Sequence, residues 1–172
     1  GGLPADIGMV CQNIGTLIAI HDAVTLGQPL ISRVTTLTGD ALSHPTNVMA
    51  LIGTPISDLL AFAGLQPDKL YRLVMGGPMM GFTLQSLDAP VIKTSNCLLA
   101  GTLEELPPPP AAQPCIRCGL CSEVCPAMLL PQQLHWFAMG KDYDQLNRLN
   151  LFDCIECGAC SYVCPSSIPL VQ

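Results

Sequence analysis

The chain has 172 residues, of which 49% are hydrophobic and 12% charged, and its net charge is −6. Seven Lys and Arg residues against thirteen Asp and Glu argue against a nucleic-acid-binding protein, because such proteins need a basic surface. No apolar run approaches the ~18 residues of a transmembrane helix, so we expect no direct membrane span. The high apolar fraction indicates a component of a larger assembly whose surface is partly covered by other proteins.

The first stretch with a clear pattern is NIGTLIAIHDAVTLG, residues 13–27. Apolar side chains recur at helical spacing, including Ile14, Leu17 and Ile18, and Gly27 is a natural stop. The stretch therefore predicts a helix. The residues before it, GGLPADIGMV, neither begin with Met nor show a signal-peptide pattern, so we expect the chain to be a section of a longer protein.

Residues 29–103 show a mixed α and β pattern. PLISRVTTLTG and TNVMALIG are β-rich runs that end in glycine, and KLYRLVMGG and PVIKTSNCLLAG indicate further strands. Between them, TPISDLLAFAG predicts a short helix with Thr54 as N-cap, Pro55 at the first helical position and Gly64 as its stop. Two strands, a helix and then more strands favour a β-grasp module over residues 29–103.

Two features of the first part favour structural interpretations. GGPMMG, residues 76–81, does not match the dinucleotide fingerprint and is interpreted as a turn with buried methionines, not as a phosphate loop. Cys11 and Cys97 lie in apolar runs and are expected to be buried structural thiols.

A proline-rich stretch separates this part from the rest. EELPPPPAAQP, residues 104–114, contains five prolines and no apolar periodicity, which predicts a stiff, extended linker. We expect residues 115–172 beyond it to form a second domain.

That second domain carries one cysteine pattern twice. CIRCGLCSEVCP at residues 115–126 is identical at nine of twelve positions to CIECGACSYVCP at residues 154–165. Both follow the spacing C-x-x-C-x-x-C-x-x-x-C-P, which is the signature of two-cluster ferredoxins, in which the fourth cysteine ligates the other cluster. The pattern predicts two 4Fe–4S clusters, each held by both halves of the domain.

The crossed rule assigns four thiolates to each cluster. The first cluster is predicted to be held by Cys115, Cys118, Cys121 and Cys164. The second is predicted to be held by Cys154, Cys157, Cys160 and Cys125.

Zinc and disulfides are the alternatives. A four-cysteine zinc site needs two C-x-x-C pairs, whereas a triplet followed by a fourth cysteine and proline occurs here twice. Disulfide partners only have to meet in space and need no strict repeat, and no secretory signal supports an oxidising compartment. Both alternatives are weaker than iron–sulfur ligation.

The segment between the runs predicts a helical hairpin. PQQLHWFAMG has Pro131 at a plausible first position and ends on Gly140, and Asp142 is placed to cap a second helix, YDQLNRLNLF. The cluster domain should therefore be mostly helical. His135 and Trp136 are interpreted as packing residues of the first helix rather than as ligands.

The sequence as a whole resembles the C subunit of the bacterial Rnf (Rsx) electron-transport complex, a relative of the flavin-bearing subunit of respiratory complex I. The resemblance rests on LPADIGMVCQNIGT, TPISDLLAFAG, GGPMMG, PVIKTSNCLLA, both cysteine runs and CPSSIPLVQ. It implies an α+β chain: residues 1–28 as the tail of an upstream flavin and NADH domain, then the β-grasp module (soluble ligand-binding type), the linker and the dicluster domain.

The resemblance also implies a function. The full-length subunit would carry FMN, take electrons from NADH and exchange them through the clusters with ferredoxin or other subunits of the complex. It would lie at the cytoplasmic side of the bacterial inner membrane as a peripheral protein, and this section alone would only carry electrons. QNIGT resembles a stretch beside the flavin in the complex I relative, which makes Asn13 and Thr16 candidate FMN contacts.

Two other functions are compatible with the cysteine pattern. The chain could be the iron–sulfur subunit of a soluble dehydrogenase or disulfide reductase, or a scaffold whose clusters are purely structural. Flavin-binding glycine loops upstream would favour membership of the Rnf complex over the soluble enzyme, and EPR signals that never change on reduction would indicate a scaffold.

Overall fold

The computed structural model describes residues 4–171, and they form an α+β structure around one mixed five-stranded sheet. No helix in this range is long and apolar enough to cross a membrane. The elements are α1 (Ile14–Thr25), β1 (Ser32–Thr38), β2 (Thr46–Leu51), α2 (Ile56–Phe62), β3 (Arg72–Met75), β4 (Phe82–Leu84), β5 (Cys97–Gly101), α3 (Leu120–Glu123), α4 (Pro131–Met139), α5 (Tyr143–Arg148) and α6 (Ala159–Tyr162). Short 3-10 turns lie at Pro4–Ile7, Pro67–Lys69 and Leu151–Asp153.

The strands lie in the order β2-β1-β5-β3-β4. The β1–β2 pair is an antiparallel hairpin that aligns Ser32 with Leu51, and β5 runs parallel to β1, with Thr36 opposite Cys97. β3 lies antiparallel to both β5 and β4. After β1 the chain passes so close to the Ala100 backbone that a Cβ at Gly39 would overlap it, so this turn requires glycine.

Helix α2 covers the buried face of this sheet and completes the main hydrophobic core. Ile56, Leu60 and Ala63 of this segment are fully buried, as are Leu37 and Leu98 of the two central strands. Alternation along the strands places these side chains on one face. Burial of large aliphatic side chains supplies most of the favourable free energy of folding, so this core is the main source of stability for the sheet and α2.

The predicted start of α2 is wrong by one position. Pro55, with φ −58° and ψ 137°, occupies the N-cap, and the helix begins at Ile56. Thr54 belongs to the preceding turn, where its N–H donates to Leu51 and its carbonyl accepts from Val91. The Thr54 backbone therefore connects the end of β2 to the loop that contains Val91, and no side chain caps the helix.

The strand predicted over residues 90–101 is shorter in the structure. A turn closes at Ser95, whose N–H donates to the Ile92 carbonyl and whose hydroxyl accepts from the Ile92 N–H, each at 3.0 Å. The strand therefore begins only at Cys97. Strand β4 was not predicted, because three residues are too few to show a period-two pattern.

The GGPMMG segment is a turn, as predicted, and the Gly81 N–H donates to the Gly77 carbonyl at 2.8 Å. The prediction that its methionines are buried is wrong. Met79 and Met80 are 48% and 64% exposed. A Cβ at Gly158 would lie 3.4 Å from the Met79 carbonyl oxygen, so this turn approaches the second cysteine run.

Helix α1 matches its predicted limits closely but contains no buried residue. Ile14, Leu17 and Ile18 are each more than half exposed. Cys11 is exposed too, which contradicts its predicted burial, whereas Cys97 is half-buried and its burial raises the pKa of the thiol.

All regular elements of residues 115–171 are helical, as predicted for the second domain. Its core is small and centres on Leu129, Leu134 and Leu146. The second predicted helix ends at Arg148 rather than near Phe152, because Asn150 adopts a left-handed conformation with φ 55° that an α-helix cannot continue through.

Candidate metal centre

The two cysteine runs fold into the same local structure. Helices α3 and α6 begin 39 residues apart, at corresponding positions of the runs, and each follows a left-handed glycine. Gly119 has φ 85° and Gly158 has φ 77°. Two residues earlier, Arg117 and Glu156 share a left-handed conformation, with φ 58° and 53°. The repeated sequence therefore specifies the same tight loop twice.

The larger of the two cavities that cysteines line has a volume of about 350 Å³. Apolar side chains from α4 and from the Leu151–Asp153 turn form much of its wall. The four cysteines predicted for the second cluster all line it: Cys125, Cys154, Cys157 and Cys160. The first run thus contributes one cysteine to a space that the second run encloses.

The smaller cavity, of about 20 Å³, is lined by three cysteines of the first run and one cysteine of the second. Its polar side chains other than cysteine are Gln132 and Ser166. The four cysteines predicted for the first cluster all line it: Cys115, Cys118, Cys121 and Cys164. Each cavity is therefore bordered by three cysteines of one run and the fourth cysteine of the other run.

The donor chemistry of both sites fits an iron–sulfur cluster. All eight cysteines are free thiols, and thiolates are the usual ligands of such clusters. Backbone N–H groups already point at two of the sulfurs: Arg117 N lies 3.4 Å from Cys115 Sγ, and Leu129 N lies 3.4 Å from Cys125 Sγ. Hydrogen bonds of this kind would stabilise a negatively charged thiolate.

The four cysteines of each set line a cavity, and their sulfurs do not converge on one position where a single metal ion could bind. Within residues 4–171, no group of three His, Cys, Asp or Glu side chains is placed to hold one metal ion. A mononuclear zinc site needs four sulfurs about 2.3 Å from one centre. A group with several metal atoms fits the larger space better than a single ion does.

Among the eight cysteines of the two runs, Cys160 has a clearly shifted pKa. Burial raises the pKa of Cys160, and the negative charge of a neighbouring Cys125 thiolate raises it further, while hydrogen bonds from Ser161 and the local backbone act in the opposite direction. Removing the Cys160 proton therefore costs more than in water, and coordination of a metal would supply that free energy.

The two residues before the first cysteine run are hydrogen-bonded to Ser166, which directly follows the second run. Gln113 N donates to the Ser166 carbonyl at 2.8 Å, and Ser166 Oγ donates to the Pro114 carbonyl at 3.0 Å. The Ser166 side chain is buried. These bonds hold the start of the first run, Cys115, beside Cys164 of the second.

Helix α4 contributes polar side chains that the sequence analysis did not assign to the site. Gln132 lines the smaller cavity and His135 lines the larger one. His135 was interpreted as a packing residue, and the spacing of the cysteines carried no signal for either side chain. Trp136 does not pack as expected, since it is 76% exposed.

The two candidate flavin residues lie elsewhere, in the first turn of α1. Asn13 is the N-cap, and its Oδ1 accepts a hydrogen bond from Gly15 N at 2.9 Å. Thr16 follows within the same turn, where its N–H donates to the Asn13 carbonyl. Asn13 is exposed and Thr16 is half-buried, and neither lines the two cysteine cavities.

Two family models match the chain. Residues 111–168 match the model described as a 4Fe-4S dicluster domain, and residues 34–83 match an SLBB domain. The first match includes both cysteine runs and the last residues of the linker. The second includes most of the strands and α2.

The chain is also similar to curated proteins over nearly its whole length. It is 69% identical over 171 residues to the C subunit of the ion-translocating oxidoreductase complex of Pseudomonas aeruginosa, covering 99% of this chain and 22% of that protein. The proteins of the same name from Serratia proteamaculans and Yersinia enterocolitica are 58% and 57% identical, over 96% and 98% of this chain and 24% of each. The chain thus spans about a quarter of the length of these relatives.

Proposed function

Since the chain belongs to the family of C subunits of ion-translocating oxidoreductase complexes, we propose that it carries electrons through two 4Fe–4S clusters within a membrane-associated complex of that kind. One observation carries the proposal: each cysteine cavity is bordered by four cysteines in the crossed combination that two-cluster ferredoxins use. A bound 4Fe–4S cluster supplies a one-electron carrier, and the protein contributes its position and its environment.

The chain's own residues have three roles in this proposal. Eight thiolates hold the two clusters in the crossed sets given above. The backbone N–H groups of Arg117 and Leu129 stabilise negative charge on Cys115 and Cys125. The apolar wall of the larger cavity, including Leu134 of α4, keeps water away from the second cluster.

The architecture fits the proposed division into domains. The β1–β2 hairpin, helix α2 and the central β5 parallel to β1 support a β-grasp fold of the soluble ligand-binding type for residues 29–103. We assign residues 104–114 to the linker and 115–172 to the dicluster domain. Residues 1–28 are assigned to the end of an upstream flavin and NADH domain, and the exposed apolar side chains of α1 support this assignment because such a surface needs a covering partner.

The remaining parts of the proposal concern the full-length protein. It binds FMN, with Asn13 and Thr16 as contacts, and exchanges electrons with NADH. The clusters connect that site to ferredoxin or to other subunits of the complex. The protein lies peripherally on the cytoplasmic side of the inner membrane.

Metal analysis of the anaerobically isolated protein tests the proposal. We expect about eight iron atoms and eight acid-labile sulfides per chain, four of each per cluster, with EPR signals that appear on chemical reduction. Cys118→Ala should lose about half of the iron and sulfide. Cys11→Ala is the matched control, because Cys11 is exposed and lies outside both runs, and it should keep the full content.

Three results would contradict the proposal. Stoichiometric zinc without sulfide would identify the alternative metal site. Clusters whose spectra never change on reduction would indicate a structural scaffold. Full activity as a soluble dehydrogenase or disulfide reductase, without other subunits, would favour that class instead.

A further inference from the structure

Helix α4 lies between the two cysteine cavities and presents one polar side chain to each. Gln132 lines the smaller cavity and His135 the larger one. Residues three apart are neighbours on a helix surface, so one short helix reaches both sites from one side. The other α4 residues that line the larger cavity, Pro131, Leu134 and Ala138, have no side-chain hydrogen-bond donor.

The Gln132 amide lies near a cluster cysteine. Its Oε1 is 3.9 Å from Cys115 Sγ, with the thiol as donor. A cluster-bound thiolate has no proton to donate, and a half-turn of the amide brings the Nε2 donor to the same place. The other polar side chain of this cavity, Ser166, already donates its hydroxyl proton to the Pro114 carbonyl. Gln132 therefore supplies the side-chain donor of the smaller site.

His135 has the corresponding place at the larger site. Its side chain is half-buried, and its imidazole has no hydrogen-bond partner among residues 4–171. Either ring nitrogen can carry the proton and donate it. Besides the four cysteines, the other ionisable residue that lines this cavity is Glu156, a carboxylate that cannot donate when ionised.

A donor aimed at a cluster affects its reduction directly. Reduction adds a negative charge, and an N–H group pointing at a sulfur stabilises the more negative state. Hydrogen bonds to the sulfurs are one of the main factors that set the potential of a cluster of given type. A donor at each site therefore raises that site's reduction potential.

We propose that Gln132 and His135 are potential-setting hydrogen-bond donors, Gln132 to the cluster held by Cys115 and His135 to the cluster held by Cys154. This inference rests on the proposed function, because it requires both clusters. Helix α4 supplies no cluster ligand, but in this proposal it adjusts the reduction potential of each cluster separately.

Leucine substitutions with a redox readout test the inference. Gln132→Leu should lower the midpoint of the first cluster, and His135→Leu that of the second, each leaving the other cluster unchanged in an anaerobic EPR-monitored titration. Loss of one net hydrogen bond shifts the reduction equilibrium about threefold to tenfold, and tenfold corresponds to ~59 mV for one electron. Gln133→Leu is the control on the same helix, because Gln133 is exposed and lines neither cavity.

A second pair of variants separates hydrogen bonding from packing. His135→Gln keeps an N–H donor and should restore much of the second midpoint. Gln132→Glu keeps the shape but replaces the donor with an anion, so it should lower the first midpoint at least as far as Gln132→Leu does. The inference would be overturned if Gln132→Leu and His135→Leu had the same midpoint potentials as the control Gln133→Leu. The inference would also be overturned if the leucine variants lost iron and sulfide while Gln132→Glu kept a normal midpoint. The two residues would then have only a structural role. Absence of iron and sulfide from the unmodified protein would instead refute the proposed function itself.

Discussion

Cys125 and Cys160 belong to different cysteine runs but line the same cavity, where burial raises the pKa of Cys160 and the nearby Cys125 raises it further. In the same way, Cys164 belongs to the second run but lines the smaller cavity together with Cys115 of the first run. The two halves of the second domain therefore depend on each other. Neither run can complete its proposed site alone, so the domain should fold and lose its metal as one unit.

Removal of the clusters should unfold the second domain and leave the first intact. The second domain has a small core around Leu129, Leu134 and Leu146, whereas α2 and the sheet enclose a much larger one. Metal-binding free energy is folding free energy in such domains. After chelation, limited proteolysis should cut within residues 104–114, because unfolding of the second domain also breaks the bonds that hold Gln113 and Pro114 to Ser166.

The matched control is the same protein with its clusters intact, which should resist cleavage in that stretch. Mass spectrometry of the fragments should show residues 29–103 surviving in both samples. A cluster-free protein that keeps its full helical circular dichroism and resists the protease would contradict this prediction.

Exchanging the charges at Arg117 and Glu156 should reduce the difference between the two cluster potentials. The two residues occupy corresponding left-handed positions of the cysteine loops, and both are exposed. A cation favours reduction and an anion opposes it, so the first cluster should have the higher potential. For a charge ~6 Å from a cluster, Coulomb's law gives ~0.7 kcal/mol in water and ~3 kcal/mol at an effective dielectric of ~20.

These energies correspond to ~30 and ~120 mV per charge, at ~59 mV for each tenfold change. The lower value applies here because solvent screens exposed side chains. The double variant Arg117→Glu with Glu156→Arg should narrow or reverse the difference in an anaerobic redox titration. Unchanged midpoints would mean that hydrogen bonds and burial alone determine the potentials.

Substitutions at Asn13 should distinguish helix capping from flavin binding. Asp is as good an N-cap as Asn, so Asn13→Asp keeps the cap, whereas Asn13→Ala removes it. If the amide contacts FMN, both variants of the full-length protein should bind FMN about tenfold more weakly, the value of one lost hydrogen bond. Thr16→Val should weaken binding similarly.

Fluorescence titration with FMN measures these affinities. Thr25→Val is the control at the other end of α1, where the Thr25 hydroxyl donates to the His21 carbonyl at 2.7 Å. Weaker binding by Asn13→Ala alone would assign Asn13 a capping role and remove it from the flavin site.

The two helices between the cysteine runs could be predicted from the sequence, because they depend on local spacing and capping, although the second ends at Arg148. Asp142 caps α5 through the Gln145 N–H, as the capping pattern predicts. The start of α2 was predicted wrongly because the Thr54 backbone is held in a turn, by a local bond to Leu51 and by a bond from the distant Val91, and this overrides its capping tendency. The roles of Gln132 and His135 were also missed, since only the packing of α4 against both runs brings these side chains to the cavities.

Mössbauer and EPR spectra of Cys125→Ala, purified anaerobically, test the crossed assignment most directly. We predict that this variant damages the cluster held by Cys154, Cys157 and Cys160 and leaves the other cluster intact, although Cys125 belongs to the first run. Cys164→Ala, the matched variant, should damage the cluster held by Cys115, Cys118 and Cys121 instead. Loss from Cys125→Ala of only the cluster held by the first run would contradict the account.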